Sequence, residues 1–114
     1  MTYLLQIYSS TAISEYEALS EQEKAAITAE YMAIAQTPGV LGGHQLQGPE
    51  TATTVRVQDG QTLTTDGPFA ETKEVFGGYY LYEAEDLDAA IELASRIPAA
   101  RLGGSVEVRP IVER

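Results

Sequence analysis

Two stretches of this chain repeat their apolar residues at helical spacing, and each lies between short runs of β-formers. That alternation restricts the available folds more than any other feature. Ile27, Tyr31 and Ile34 form one stripe in a helix expected from about residue 21 to 36. Ser20 and Glu23 make a capping box at its start, and Pro38-Gly39 ends it. Leu87, Ala90, Ile91, Ala94 and Ile97 form the second stripe, capped by Asp86 and closed by Pro98. A further capping box, Ser14 with Glu17, suggests a short helical turn near 14–19. Strands are expected at Tyr3–Tyr8, Val40–Leu46, Tyr79–Tyr82 and Ser105–Arg109. Between the second and third of these, Thr53–Gln58 and Gln61–Thr65 flank Asp59-Gly60, the dipeptide that favours a two-residue hairpin turn. The order is β-α-β, a hairpin, then β-α-β. It predicts an α+β, ferredoxin-like βαββαβ domain with an inserted β-hairpin, spanning residues 1–114 with both helices on one face of an antiparallel sheet.

Composition narrows the chemistry. The 114 residues contain no Cys and one His, which excludes disulfides, thiolate catalysis, Cys-based metal sites and a His-rich metal site within one subunit. Seventeen acidic residues against seven basic ones give a net charge of −10, spread along the chain, which opposes nucleic acid as a partner. No apolar run suits a membrane span and no secretory signal pattern opens the chain, so a cytoplasmic domain is expected. No motif for a nucleotide cofactor or a Ser nucleophile is present, and no cofactor or metal is expected.

Alternation along the strands sorts their side chains into two sets. Tyr3, Leu5, Ile7, Tyr79, Leu81, Val106 and Val108 are expected beneath the helices; Leu4, Gln6, Tyr8, Tyr80, Tyr82, Glu107 and Arg109 are expected on the reverse. The reverse is too aromatic for bulk water and too polar for a dry core, and both helices are already committed. Burying ~500 Å² there is worth roughly 12 kcal/mol gross at ~25 cal/mol per Å², before association costs. A second copy is the simplest cover, so a homodimer enclosing a semi-polar space is expected.

His44 is the single side chain that ordinarily titrates near neutrality; it is either a packed strand residue or an acid/base group. Asp66-Gly67-Pro68-Phe69 has ordinary turn chemistry, yet the following stretch carries Phe69, Glu71, Lys73 and Glu74, which could position a ligand. Arg56, Arg101 and Arg109 could neutralise acidic neighbours or meet an anionic ligand.

Three blocks carry a family likeness: Gly48–Arg56, Thr65-Asp66-Gly67-Pro68-Phe69-Ala70-Glu71-Thr72-Lys73-Glu74, and Gly77-Gly78-Tyr79-Tyr80. With Ile97–Ala100, Gly104–Pro110 and the opening Tyr3-Leu4-Leu5, they resemble the DGPF branch of the YCII-related proteins nearly end to end. The resemblance implies a bacterial, dimeric α/β-barrel protein with a small-molecule pocket. It also implies a regulatory or accessory role as an alternative, since such proteins are often encoded beside extracytoplasmic-function sigma factors. Related proteins suggest a His–Asp pair, and one branch is a lyase that removes chloride from an aromatic ring. There the His lies on the first helix, where this chain has Glu30 and Tyr31; its own His44 falls on the following strand.

Three functions remain open: a lyase or isomerase with Asp66 as acid/base, a non-catalytic ligand-binding or sigma-factor-linked module, and a loop that only closes a dimer. On the first, Asp66 and His44 are the catalytic candidates, and Arg56, Phe69, Lys73 and Tyr80 the ligand-binding ones.

Overall fold

The computed structural model describes residues 1–10, 18–66 and 74–114. Its elements are β1 (Thr2–Ser10), α1 (Glu21–Ala35), β2 (Val40–Gln45), β3 (Thr53–Gln58), β4 (Gln61–Asp66), β5 (Glu74–Glu83), α2 (Leu87–Ser95) and β6 (Ser105–Pro110). Single 3₁₀ turns at Pro49–Thr51 and Pro98–Ala100 join them. The helical turn expected near 14–19 falls mostly on residues 11–17, outside the described residues.

Both helices begin where their caps predict. Ser20 Oγ accepts from the Glu23 backbone N–H at 3.1 Å and donates to the Glu23 carboxylate at 3.1 Å. Asp86 accepts from the Ala89 N–H at 2.9 Å. β2, β5, β1 and β6 form a four-stranded sheet in that order, and every neighbouring pair is antiparallel. This is the ferredoxin-like arrangement, with the β3–β4 hairpin inserted as a separate two-stranded ribbon. The ribbon turns at Asp59 and Gly60, with φ of +50° and +74°, the paired left-handed geometry of a two-residue turn.

The core joins Tyr3, Leu5 and Ile7 of β1 to Ile34 of α1, Ala90 and Leu93 of α2, and Ile97. Leu5, Leu93 and Ile97 are fully buried, each a contribution of roughly 1.5–3 kcal/mol. The α2 stripe is rotated from its expected position. Ala90, Leu93, Ala94 and Ile97 are buried, whereas Leu87 and Ile91 are about half exposed, on the flank of the helix.

One strand differs more consequentially. β1 pairs Tyr3 with Tyr82, Leu5 with Tyr80 and Gln6 with Tyr79. Paired residues share a face, so Tyr80 and Tyr82 lie under the helices, and Tyr79 and Leu81 lie on the reverse. This inverts the expected assignment of β5. Every position of Tyr79–Tyr82 is aromatic or aliphatic, so alternation there cannot fix a face, and a one-residue slip exchanges them all. Gly43 opposite Tyr80 leaves room for its ring: a Cβ on Gly43 would lie 2.7 Å from Tyr80 Cδ1. Gly77 is the extra residue of a bulge between Ile7 and Tyr8 pairing, which places Phe76 opposite Tyr8.

The radius of gyration is 16.2 Å, against roughly 13 Å for a compact chain of this length. The β3–β4 ribbon stands as a sheet of its own, and its Val55 and Val57 are 59% and 68% exposed.

Candidate functional site

The middle of the sheet face away from the helices consists of three cross-strand rows, with Thr2 opposite Glu83 beyond them. The central row runs His44, Tyr79, Gln6, Glu107 across all four strands. One flanking row is Gly42, Leu81, Leu4, Arg109, and the other is Phe76, Tyr8, Ser105. A polar stripe therefore crosses a floor whose flanking rows are aliphatic and aromatic except for Arg109 and Ser105 at the β6 edge.

Two ring pairs stiffen it. His44 and Tyr79 have centroids 5.9 Å apart at 60°, and Tyr8 and Phe76 lie 5.6 Å apart at 44°. In the middle of the stripe the Gln6 carbonyl oxygen Oε1 is buried without a hydrogen-bond partner. An orphaned acceptor of this kind costs about 1–3 kcal/mol; having almost no accessible surface, it can meet an outside donor only if the Gln6 side chain turns outward.

The expected site residues are dispersed. His44 is exposed at the β2 end of the polar row. Asp66 is exposed as the last residue of β4, opposite Thr53. The two share no hydrogen bond or ion pair. Arg56 is exposed on β3, opposite Leu63, on the other face of the ribbon from Asp66. Phe69 and Lys73 lie outside the described residues. Tyr80 faces the helices: its hydroxyl donates to the Tyr31 carbonyl at 3.1 Å, tying β5 to α1. Burial, then the adjacent Tyr31 phenol, push the Tyr80 hydroxyl above its ordinary pKa. Tyr80 therefore supports the sheet from behind, and Tyr79 takes its expected place on the open face. Gln6 was legible as a polar residue between Leu5 and Ile7; the role of Tyr79 depended on the β5 register.

A cleft of ≈ 360 Å³ opens on the helical side, lined by Glu30, Ala33, Ile34, Thr37, Arg96 and Arg101. Glu30 and Arg101 make a two-pronged pair there, at 2.7 and 2.6 Å. Arg101 thus meets an acid on α1. The hydrogen bond from Arg101, and secondarily its charge, hold the Glu30 carboxyl below its ordinary 4.5. A lowered folded-state pKa contributes stability above the unfolded value, and this is lost as pH falls through the folded value. Arg101→Gln should accordingly lower the thermal midpoint at pH 6–7, and by less near pH 3. Melting curves at both pH values check this, and a loss of equal size at the two would contradict it. Both groups are substantially exposed, so the effect is small.

Among the described residues, no group of three or more His, Cys, Asp or Glu could hold a metal ion. No helix among them is long and apolar enough to cross a membrane.

These observations define an α+β, ferredoxin-like protein with an inserted ribbon and a mixed polar–aromatic sheet face. The chain belongs to the YCII-related family, whose domain signature matches residues 1–114. It is 34% identical over 116 residues to an uncharacterized protein of Rhizobium meliloti (strain 1021), covering 97% of this chain and 92% of the relative. Among solved structures it is similar to a 5-chloro-2-hydroxyhydroquinone dehydrochlorinase of Burkholderia phenoliruptrix AC1100, in complex with 2,5-dihydroxybenzoquinone. That likeness has a TM-score of 0.56 at 15% identity and covers 100% of this chain and 96% of the neighbour; at this identity it speaks for the fold.

Proposed function

We propose that the open sheet face is the floor of a small-molecule chamber closed by a second copy of the chain, and that the chamber supports a lyase or isomerase reaction. The observation that carries this is the polar stripe His44–Tyr79–Gln6–Glu107 running between rows that are mainly apolar and aromatic, with Arg109 and Ser105 at the β6 edge. Such a floor suits a flat ring bearing hydroxyl groups: aromatic rows contact the ring, and the stripe exchanges hydrogen bonds with its edge. The dehydrochlorinase activity named for the structural neighbour supports elimination as the reaction class. Asp66 is the acid/base group on this reading and His44 the second titratable group. Phe69 and Lys73 hold the ligand, Arg56 lies on the ribbon face away from Asp66, and Tyr80 braces the sheet. The chamber works in the cytoplasm without a cofactor.

Light scattering at micromolar concentration should give twice the 12.3 kDa chain mass. Tyr emission, unobscured because the chain lacks Trp, should quench on titration with 2,5-dihydroxybenzoquinone. Tyr79→Leu should remove most of the quenching. A monomeric mass, or quenching that survives Tyr79→Leu unchanged, would refute the chamber.

A further inference from the structure

The β3–β4 ribbon is built to lie against something. Its register places Thr53, Val55, Val57, Thr62, Thr64 and Asp66 on one face. Between Asp66 at the root and Asp59 at the tip, that face is uncharged and rich in β-branched side chains, with both valines mostly exposed. A two-stranded ribbon is marginal in water by itself, and gains stability by packing its apolar face on another surface.

Three observations point to a second copy of the chain as that surface. The first is area. Four strands about 19 Å across, paired over about 20 Å, give the open sheet face a flat footprint of roughly 400 Å², about half the ~800 Å² per partner of a stable interface. The ribbon face, two strands wide and six residues long, adds about half as much again. The second is continuity. The 3₁₀ turn at Pro49–Thr51, immediately before the ribbon, packs on β5, the strand that carries Phe76, Tyr79 and Leu81 of the open face. The ribbon therefore starts beside the strand that supplies that face. The third is charge: two chains of −10 repel, and the uncharged Val55–Thr64 surface allows contact without opposing like charges.

We infer that the β3–β4 ribbon is an arm that clasps a second copy of the chain through its Val55–Val57 face, turning Asp66 toward the partner subunit's open face. Each chamber would then be completed by an acid from the other chain. This rests on the chamber and on the role of Asp66 proposed above, and accounts for the absence of any contact between Asp66 and His44 within one chain.

The test uses the full chain. The double variant Val55→Asp, Val57→Asp alters two side chains that are exposed in the protomer. It should raise the self-association constant Kd at least tenfold in sedimentation equilibrium, with the circular dichroism spectrum unchanged. A dimer as tight as wild type would overturn the clasp while leaving the chamber standing; a wild-type monomer would overturn both. Placement of Asp66 has a second readout, because the chain has no Cys. Oxidising the variant that combines Asp66→Cys with His44→Cys should give a covalent dimer on a non-reducing gel, while each single variant runs as one chain. A disulfide closed within one chain, or none at all, would overturn delivery of Asp66 to the partner.

Discussion

Asp66→Asn will lower kcat/KM by about 10²–10⁴-fold, the usual worth of a positioned acid/base group. That is about 3–5.5 kcal/mol of transition-state stabilisation at ~1.4 kcal/mol per tenfold. In an elimination the carboxylate takes a proton from the substrate as the leaving group departs with its electron pair. The carboxamide has nearly the same size and can still hydrogen-bond, but it cannot accept that proton. Asp66 is exposed at the end of β4, so the substitution disturbs no core contact and the melting temperature should hold. Initial rates with a chlorinated hydroxyhydroquinone, followed by chloride release, measure the effect. Wild-type turnover by Asp66→Asn would remove Asp66 from the chemistry.

Leu5→Ala will cost about 2–5 kcal/mol of folding stability. Leu5 is fully buried on β1, one of the two inner strands of the sheet, paired with Tyr80 on one side and Val108 on the other, beneath both helices. Its truncation leaves a cavity that the surrounding sheet cannot close without breaking those registers. A chain of 114 residues has a total stability of roughly 6–17 kcal/mol, so the loss is a large share. Ile91→Ala on the exposed flank of α2 should stay within about 0.5 kcal/mol. Urea denaturation of both variants separates the cases, and equal losses would contradict the assignment of the core.

The fold was legible because its signals are local. Ser20 and Asp86 cap the helices they were expected to cap, Asp59-Gly60 makes the hairpin turn, and the element order implies the sheet. The site was legible only in part, since it depends on register. Tyr79 and Tyr80 look alike in sequence; what separates them is which opposes Leu5, and that is decided by pairing three strands at once. The Glu30–Arg101 pair joins residues 71 positions apart through the packing of α1 near the Pro98–Ala100 turn, and no spacing announces it. Asp66 and Arg56 are ten residues apart on neighbouring strands, yet a two-residue turn and strict alternation send them to opposite sides.

The outer strands of the sheet bear on how such chains meet. β2 carries a register break between Val40 and Gly42, and β6 ends at Pro110, which has no amide hydrogen to offer a neighbour. Lateral stacking of sheet on sheet, the route to open-ended fibrils, is discouraged at both borders. Face-on-face contact, the mode proposed above, leaves both borders unused.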